Sequence, residues 1–271
     1  MNKVLNKQTL YPNAKLNLYL EIIGQKENGY HLLETLMVPI SLNDEIHITI
    51  YDKGDITVKT KNADIPQSEN IIYKILSKAK KEFNLKFGAR VIVKKYIPSG
   101  AGLGGGSSDG AFVLKFLNKV LNFASTEELI IFSSKIGADI PFFLINKPAF
   151  CEGIGEIITP IEIPRNSYYL FTPQYNVNTA KIFQNRARFL SKNELFGESI
   201  AKHKDNIWNF LQENNLLFFN RLSNSVKIIE PELFDIVKNK FNETMYLTGS
   251  GASFYTAIQN KDLIKVNILT D

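Results

Sequence analysis

The stretch of sequence that decides the fold is Pro98-Ser99-Gly100-Ala101-Gly102-Leu103-Gly104-Gly105-Gly106-Ser107-Ser108, which holds five of the 16 glycines. A β-rich run at 89–97 precedes it, and apolar residues at helical spacing between 113 and 121 follow it. The pattern predicts a strand, a glycine loop and a helix that begins at Ser107 or Ser108. Such a loop offers backbone N–H groups and the positive helix end to an anion, and glycine lets the backbone approach a phosphate.

Other phosphate-binding loops fit this stretch less well. A Walker A loop is excluded because no lysine follows the last glycine. Gly100-x-Gly102-x-x-Gly105 matches the dinucleotide pattern literally, but several strands precede it, and Glu127 and Glu128 already belong to a helix-capping pattern. Because the literal match is present, a nicotinamide-dependent oxidoreductase stays an alternative, and a test of nicotinamide binding would settle it.

The rest of the chain predicts an α+β protein, because strands come early and helices are interspersed without strict alternation. Asp52-Lys53-Gly54 predicts a hairpin between two alternating runs, and Pro160 and Pro164 mark a domain boundary. We expect two domains, 1–160 with the ATP-binding loop and 161–271 on the substrate side. Strands are predicted at 16–23, 31–40, 45–51, 55–60, 89–97, 168–172, 244–248 and 253–258. Further helices are predicted at 70–83, from 126, and at 179–190, 205–219 and 230–241.

Composition limits the class of protein. The 271 residues are 44% hydrophobic and 22% charged, which is typical of a globular chain. A single cysteine excludes an internal disulfide and argues against a cysteine-based zinc site, and no apolar run predicts a membrane span. The net charge of +5 is spread along the chain, so small polyanionic molecules are expected as partners, with no nucleic acid and no membrane. We expect a cytoplasmic monomer or weak homodimer.

Three motifs together resemble one superfamily. The glycine loop is similar to the phosphate loop of the galactokinase, homoserine kinase, mevalonate kinase and phosphomevalonate kinase superfamily. Pro12-Asn-Ala-Lys-Leu-Asn17 is similar to its first motif, and Leu247-Thr-Gly-Ser-Gly-Ala252 is similar to its third. The resemblance implies a two-domain small-molecule kinase with its active site in the cleft between domains, and ATP and Mg²⁺ as cofactors.

Further residues resemble one family within it. Ala14-Lys-Leu-Asn-Leu-Tyr-Leu20, Gly29-Tyr-His31 and Gly137-Ala-Asp-Ile-Pro141 look like segments of the kinases that phosphorylate the 2-hydroxyl of 4-diphosphocytidyl-2-C-methyl-D-erythritol in non-mevalonate isoprenoid synthesis. The resemblance implies that Lys15 lies beside the acceptor hydroxyl. It further implies that Asp139 accepts the proton of this hydroxyl or orients the hydroxyl group. It also implies that Tyr30 stacks on cytosine and that His31 hydrogen-bonds to it.

Each of these residues has a plainer interpretation. Without the resemblance, Lys15 would be an edge lysine and Asp139 an exposed turn residue. Tyr30 and His31 would be surface residues of a hairpin, and Phe183 would belong to a helix core.

The remaining expected contacts are Lys95 and Asn70 for ATP, with Asn70 equally suited to cap a helix, and Asn17, Thr179, Phe183, Gly249, Ser250 and Gly251 for the substrate.

The metal ligands are not identified by the sequence. The hydroxyl of Ser107 or Ser108 is available for Mg²⁺, whereas Asp109 is interpreted as an acidic residue of the first helical turn. Asn220-Arg-Leu-Ser223 departs from the Asn-Asp-Leu-Glu-like run that the family more often has, and no role is assigned to it.

Other functions stay open within this fold. A homoserine or mevalonate kinase is the chief competitor, and Tyr30–His31 discriminates against it because neither acceptor carries a base. A decarboxylase of a phosphorylated acid or a non-catalytic sugar or nucleotide sensor is the other. A sensor is expected to lack Lys15 or Asp139, and both are present.

Overall fold

The computed structural model describes residues 2–62, 65–175, 177–186 and 195–270. Packing divides the chain into two compact units, each made of three segments. The first unit comprises 1–14, 42–97 and 104–146, and the second comprises 15–41, 98–103 and 147–271. The mixture of helices and strands confirms the α+β prediction. These units are defined by packing alone, so the functional boundary at residue 160 stays a prediction.

The first unit contains one mixed sheet and four helices. Its strands are β1 (Val4–Leu10), β4 (Glu45–Tyr51), β5 (Ile56–Thr60) and β6 (Gly88–Lys94), in the order β1-β4-β6-β5. Its helices are α1 (Ile71–Glu82), α2 (Gly105–Leu121), α3 (Thr126–Ser134) and α4 (Ile140–Ile145).

The predicted hairpin around Asp52–Gly54 is wrong. Strand β4 pairs with β1 and β6, and β5 runs parallel to β6, so β6 lies between the two strands that the turn connects. A turn signal reports that the chain changes direction locally, whereas strand neighbours are chosen by burial of the apolar faces. Alternate residues of β4 are buried, which gives the sheet one core face.

The helices of the first unit follow their predicted signals closely. In α1, Ile72, Ile75, Leu76 and Ala79 form the buried face. The capping box of α3 is confirmed, since Ser125 accepts from the Glu128 backbone and the Glu128 carboxylate accepts from the Ser125 backbone. Helix α4 was not predicted because it is short and begins around Pro141, which is tolerated in a first turn.

The second unit contains two sheets. One has the order β2-β3-β7-β8 and the other the order β10-β11-β9-β12. The strands are β2 (Asn13–Gln25), β3 (His31–Asn43), β7 (Ala149–Gly153), β8 (Ile157–Pro160), β9 (Ser167–Phe171), β10 (Tyr246–Leu247), β11 (Phe254–Thr256) and β12 (Ile264–Asn267), with the first two residues of β2 and the last two of β3 in the first unit.

The helices of the second unit cover a core that includes Leu20, Ile182, Val226 and Phe254. They are α5 (Thr179–Asn185), a 3-10 helix (Ala201–Asn206), α6 (Ile207–Glu213), α7 (Leu222–Ile229) and α8 (Pro231–Lys240). The predicted helix at 205–219 is too long, and α7 was missed, since it directly precedes the helix at 230–241. Residues 187–190 of the predicted helix at 179–190 lie outside the described residues.

No helix in the described part of the chain has the length and apolar character needed to cross a membrane.

Candidate active site

The glycine loop leads directly into a helix that begins with two glycines, Gly105 and Gly106. Helix α2 begins at Gly105, two or three residues before the predicted start at Ser107 or Ser108, and Gly104 before it has a left-handed φ of 71°. No side chain caps this end, so the first N–H groups of the helix point outward without a side-chain acceptor. A long helix with such an end is suited to bind a phosphate.

Lys95 lies against this helix end within the first unit. Its ammonium is bonded to the carboxylates of Asp44 and Asp109, the latter at 2.7 Å. Burial alone would lower the pKa of Lys95, but the two carboxylates outweigh it and raise the pKa. Burial raises the pKa of Asp109 to about 7, against the opposing effect of Lys95. Asp109 is buried and lies beyond the first turn of α2, so its interpretation as a first-turn acid is wrong.

Asn70 caps helix α1. Its side-chain oxygen accepts from the Ile72 backbone N–H at 2.9 Å, and its amide nitrogen donates to Thr60 Oγ1 at 3.3 Å. The capping interpretation is confirmed, and the contact with ATP stays a prediction.

Asp139 precedes α4 and lies in the loop that follows α3. Its carboxylate makes no capping bond, and the residue is partly buried. In the same loop, a Cβ on Gly137 would lie 3.8 Å from Ser107 Oγ, so this loop passes beside the start of α2. Asp139 and Lys15 belong to different units, and their pairing stays a prediction.

The two candidate serines differ in accessibility. Ser108 is completely buried and its hydroxyl has no hydrogen-bond partner, whereas Ser107 is partly exposed. Among the described residues, no group of three or more His, Cys, Asp or Glu side chains is arranged to hold a metal ion. Mg²⁺ bound to a nucleotide takes few protein ligands, and a serine hydroxyl of a phosphate loop can be one of them, so the accessible hydroxyl of Ser107 fits it.

Lys15 is the centre of the polar cluster in the second unit. The residue is 3% exposed, and its ammonium donates to Asn17 Oδ1. Asn17 is fixed in turn, because its side chain donates to Thr35 Oγ1 at 2.8 Å and its backbone N–H donates to Thr248 Oγ1 at 3.0 Å. The Lys15 backbone N–H donates to the Leu103 carbonyl at 3.0 Å.

The glycine turn at 249–251 approaches the same cluster. A Cβ on Gly249 would lie 3.2 Å from the Lys15 ammonium and 3.0 Å from the Gly102 carbonyl oxygen. Gly102 has a φ of 74°, and a Cβ there would lie 2.4 Å from the Thr248 carbonyl oxygen. Three segments far apart in sequence therefore meet at close contacts, and at Gly102 the contact leaves no room for a side chain.

Two residues that fix this turn were not singled out from the sequence. Asn220 donates to the carbonyls of Leu247 and Gly249 at 3.0 and 2.8 Å, and Thr248 bonds to Asn17. Asn220 belongs to the run for which no role was assigned, and its spacing gave no signal because its partners are 27 and 29 residues away. Thr179 and Ser250 also meet, with their hydroxyl oxygens 2.6 Å apart.

The aromatic residues are placed as follows. The rings of His31 and Phe183 have centroids 4.9 Å apart, and Tyr30 is 59% exposed at the end of the turn. Burial, and secondarily the charge of Arg186, lower the pKa of His31 below its usual 6.5. A neutral imidazole can donate and accept one hydrogen bond each, which suits a nucleobase edge. Tyr30 thus has free surface for stacking.

Comparison with known proteins identifies similar chains. A model of the GHMP kinase N-terminal domain matches residues 70–147. The chain is 35% identical over 264 residues to a 4-diphosphocytidyl-2-C-methyl-D-erythritol kinase of Neisseria meningitidis serogroup C, covering 97% of this chain and 90% of that protein. It is 36% identical over 255 residues to a protein of the same name from Methylacidiphilum infernorum, covering 92% and 85%.

A solved structure is similar along the same length. The crystal structure of a 4-(cytidine 5'-diphospho)-2C-methyl-D-erythritol kinase has a TM-score of 0.76 and 26% sequence identity, covering 96% of this chain and 99% of that one. The similarity therefore extends over both units.

Proposed function

The chain belongs to the 4-diphosphocytidyl-2-C-methyl-D-erythritol kinase family, and from that premise we propose which of its residues carry the reaction. The resemblance and the kinase fold inferred from the sequence are confirmed. The enzyme transfers a phosphoryl group from ATP to the 2-hydroxyl of 4-diphosphocytidyl-2-C-methyl-D-erythritol, giving the 2-phosphate and ADP, in isoprenoid biosynthesis.

We propose that the glycine loop and the start of α2 bind the phosphates of ATP. The uncapped N–H groups at the start of α2 and the absence of side chains from Gly104 through Gly106 support this role. Ser107 would hold Mg²⁺ together with phosphate oxygens, and the metal supplies charge neutralisation when bound. Lys95 and Asn70 would contact the nucleotide nearby.

For catalysis we assign Lys15 and Asp139. A cation about 4 Å from a developing alkoxide is worth about 4 kcal/mol at an effective dielectric near 20. That is about three pKa units on the hydroxyl, which helps without ionising it. Asp139 therefore orients the hydroxyl and takes its proton late in a loose transition state, where positioning does much of the work. Its carboxylate is suited to this because it does not cap α4.

For the acceptor we assign the aromatic and turn residues of the second unit. Tyr30 would stack on the cytosine, and a stacked base contributes about 1–3 kcal/mol. His31, neutral because its pKa is lowered, would hydrogen-bond to the base edge, with Phe183 packed against it. Asn17, Thr179 and the turn Gly249-Ser250-Gly251 would contact the rest of the molecule.

One observation carries the assignment of the reaction centre. Lys15, Leu103 and Gly249 come from the first, second and third sequence motifs, and the latter two meet at Lys15 within the second unit: the Leu103 carbonyl accepts from its backbone N–H, and Gly249 lies beside its buried ammonium. A buried lysine is costly unless a task or partners retain it, and its neighbours here are the glycine-rich segments expected to contact substrates.

The test is ADP release from ATP with Mg²⁺ and 4-diphosphocytidyl-2-C-methyl-D-erythritol, beside homoserine and mevalonate. We expect turnover of the cytidine substrate alone. Asp139→Asn keeps the shape of the side chain, and kcat should fall by roughly 10²–10⁴-fold because the proton acceptor is lost. Asp262→Asn, at an exposed loop position, is the matched control and should leave kcat unchanged.

The outcomes separate the assignments. Turnover of another acceptor would contradict the roles of Tyr30 and His31. Full activity in Asp139→Asn would contradict its role. Nucleotide binding by well-folded protein without any turnover would favour a sensor.

The remaining sequence expectations stay proposals. A cytoplasmic location is supported by the single cysteine and by substrates that are small phosphorylated molecules. The monomer or weak homodimer, and the lack of nucleic-acid partners, are testable by sedimentation and by titration with DNA.

A further inference from the structure

A buried carboxylate pair holds Lys95 beside the phosphate-binding helix. We propose that Asp44 and Asp109 are positioning residues that fix the Lys95 ammonium for nucleotide binding. The proposal rests on the proposed contact between Lys95 and ATP. It assigns a task to two acids that the phosphoryl transfer itself does not use.

Asp44 holds both the ammonium and the chain that enters the glycine loop. It is completely buried, and one of its oxygens accepts from the backbone N–H groups of Tyr96 and Ile97, the latter at 2.9 Å. Its other oxygen accepts from the Lys95 ammonium, and its own N–H donates to the Pro12 carbonyl at 2.9 Å. These bonds leave the Asp44 side chain a single orientation.

The position of Lys95 is unusual for a cation. A Cβ on Gly105 would lie 3.3 Å from the Lys95 ammonium, so the charge lies at the first residue of α2. The helix dipole disfavours a cation at this end. Two carboxylates within hydrogen-bond distance offset that effect and hold the ammonium where a phosphate bound at the helix end would meet it.

Lys95 is also held through its backbone. The side-chain amide of Asn62 accepts from the Lys95 N–H at 2.7 Å and donates to the Lys95 carbonyl. Both ends of Lys95 are therefore fixed, and the side chain has 9% exposure. Preorganisation of this kind lowers the ordering cost that a ligand must meet on binding.

The first test replaces Asp44 by an isosteric amide. In Asp44→Asn the amide oxygen still accepts from the backbone N–H groups of Tyr96 and Ile97. The amide nitrogen then faces the Lys95 ammonium, and because both groups are donors this hydrogen bond is lost. We expect KM for ATP and the dissociation constant of ADP to rise about tenfold or more. KM for the cytidine substrate and kcat should change by less than about threefold.

Asp109→Asn tests the same contact without the backbone bonds. The Asp109 carboxylate accepts from the Lys95 ammonium at 2.7 Å and has Asp44 as a further close neighbour. A rise of several fold in KM for ATP is expected, and this variant decides the matter if Asp44→Asn fails to fold. The matched control is Asp52→Asn, whose carboxylate accepts from the Lys3 N–H just beyond the ends of β4 and β1, and this variant should bind ADP as the wild type does.

Double substitution separates positioning from general stability. Lys95→Met should weaken ADP binding, and Asp44→Asn added to it should cost nothing further, because the ammonium is already gone. Fully additive losses, or equal rises in KM for both substrates, would overturn the proposal. Wild-type ADP binding by both Asp44→Asn and Asp109→Asn, while Lys95→Met is weakened, would also overturn it. Wild-type ADP binding by Lys95→Met would instead contradict the nucleotide role of Lys95, and with it the proposal.

Discussion

At the scale of single residues, Gly102 of the second unit lies too close to another stretch of backbone to carry a side chain. Its left-handed φ and the carbonyl of Thr248 leave no room for a Cβ, and that carbonyl belongs to the backbone and cannot rotate away alone. Gly106 differs, since a Cβ there would meet only Ile71 at 3.8 Å, an ordinary contact. Gly102 in the loop is therefore required by its backbone conformation and its packing, whereas neither requires a glycine at Gly106 in helix α2.

The two glycines predict opposite effects on stability. Gly102→Ala should lower the free energy of unfolding by more than about 2 kcal/mol, because the backbone must shift. Gly106→Ala should be neutral or stabilising by up to about 1 kcal/mol, because it replaces glycine in a helix. Urea unfolding of both variants measures this, and equal losses would contradict it.

His31 predicts a pH effect on substrate binding. Because its pKa lies below 6.5, the imidazole is neutral at pH 7, and the unfolded chain protonates before the folded one. Its contribution to stability is therefore lost as the pH falls below about 6.5. KM for the cytidine substrate should stay level from pH 8 to about 6.5 and rise below that.

Arg186 supplies the test of this cause. Arg186→Gln removes a positive charge near His31, so the rise in KM should begin at higher pH than in the wild type. His203→Gln, which alters a histidine stacked on Phe210, should leave the profile unchanged. Identical profiles in wild type and Arg186→Gln would assign the lowered pKa to burial alone.

At the scale of elements, the cap of α1 combines a structural and a proposed binding role. Asn70→Ala should lower the free energy of unfolding by about 1 kcal/mol, whereas Asn70→Ser keeps a capping oxygen and should be near wild type. If Asn70 also contacts ATP, KM for ATP rises in both variants. An unchanged KM in Asn70→Ser would leave Asn70 as a capping residue alone.

Elements with local signals were predicted well, and those defined by distant partners were not. The spacing of Ile72 to Ala79 and the Ser125–Glu128 box identify α1 and α3 because their contacts lie within one helix. Strand β1 was missed because its partner β4 lies about 40 residues away and its own residues are mostly exposed. No local pattern reports such pairing.

At the scale of the whole molecule, ligands should stabilise the chain through linkage. At 100 times its dissociation constant, ADP should contribute about 2.7 kcal/mol. For a protein of this size that corresponds to a rise in Tm of roughly 5–10 °C. Thermal unfolding in the presence of ADP, and separately of CDP, measures the rise in Tm. Lys95→Met should lose most of the rise that ADP causes. No shift of Tm with saturating ADP would contradict nucleotide binding.

The sequence by itself determined the fold class, the kinase family and the three motifs, because glycine loops, helix caps and apolar periodicity are written in neighbouring residues. Only the tertiary structure decided that β6 separates β4 from β5, that Asn220 and Thr248 fix the glycine turn, and that Asp44 and Asp109 hold Lys95. These contacts join residues that are far apart along the chain. Their partners are selected by burial and hydrogen-bond satisfaction, which a local pattern does not encode.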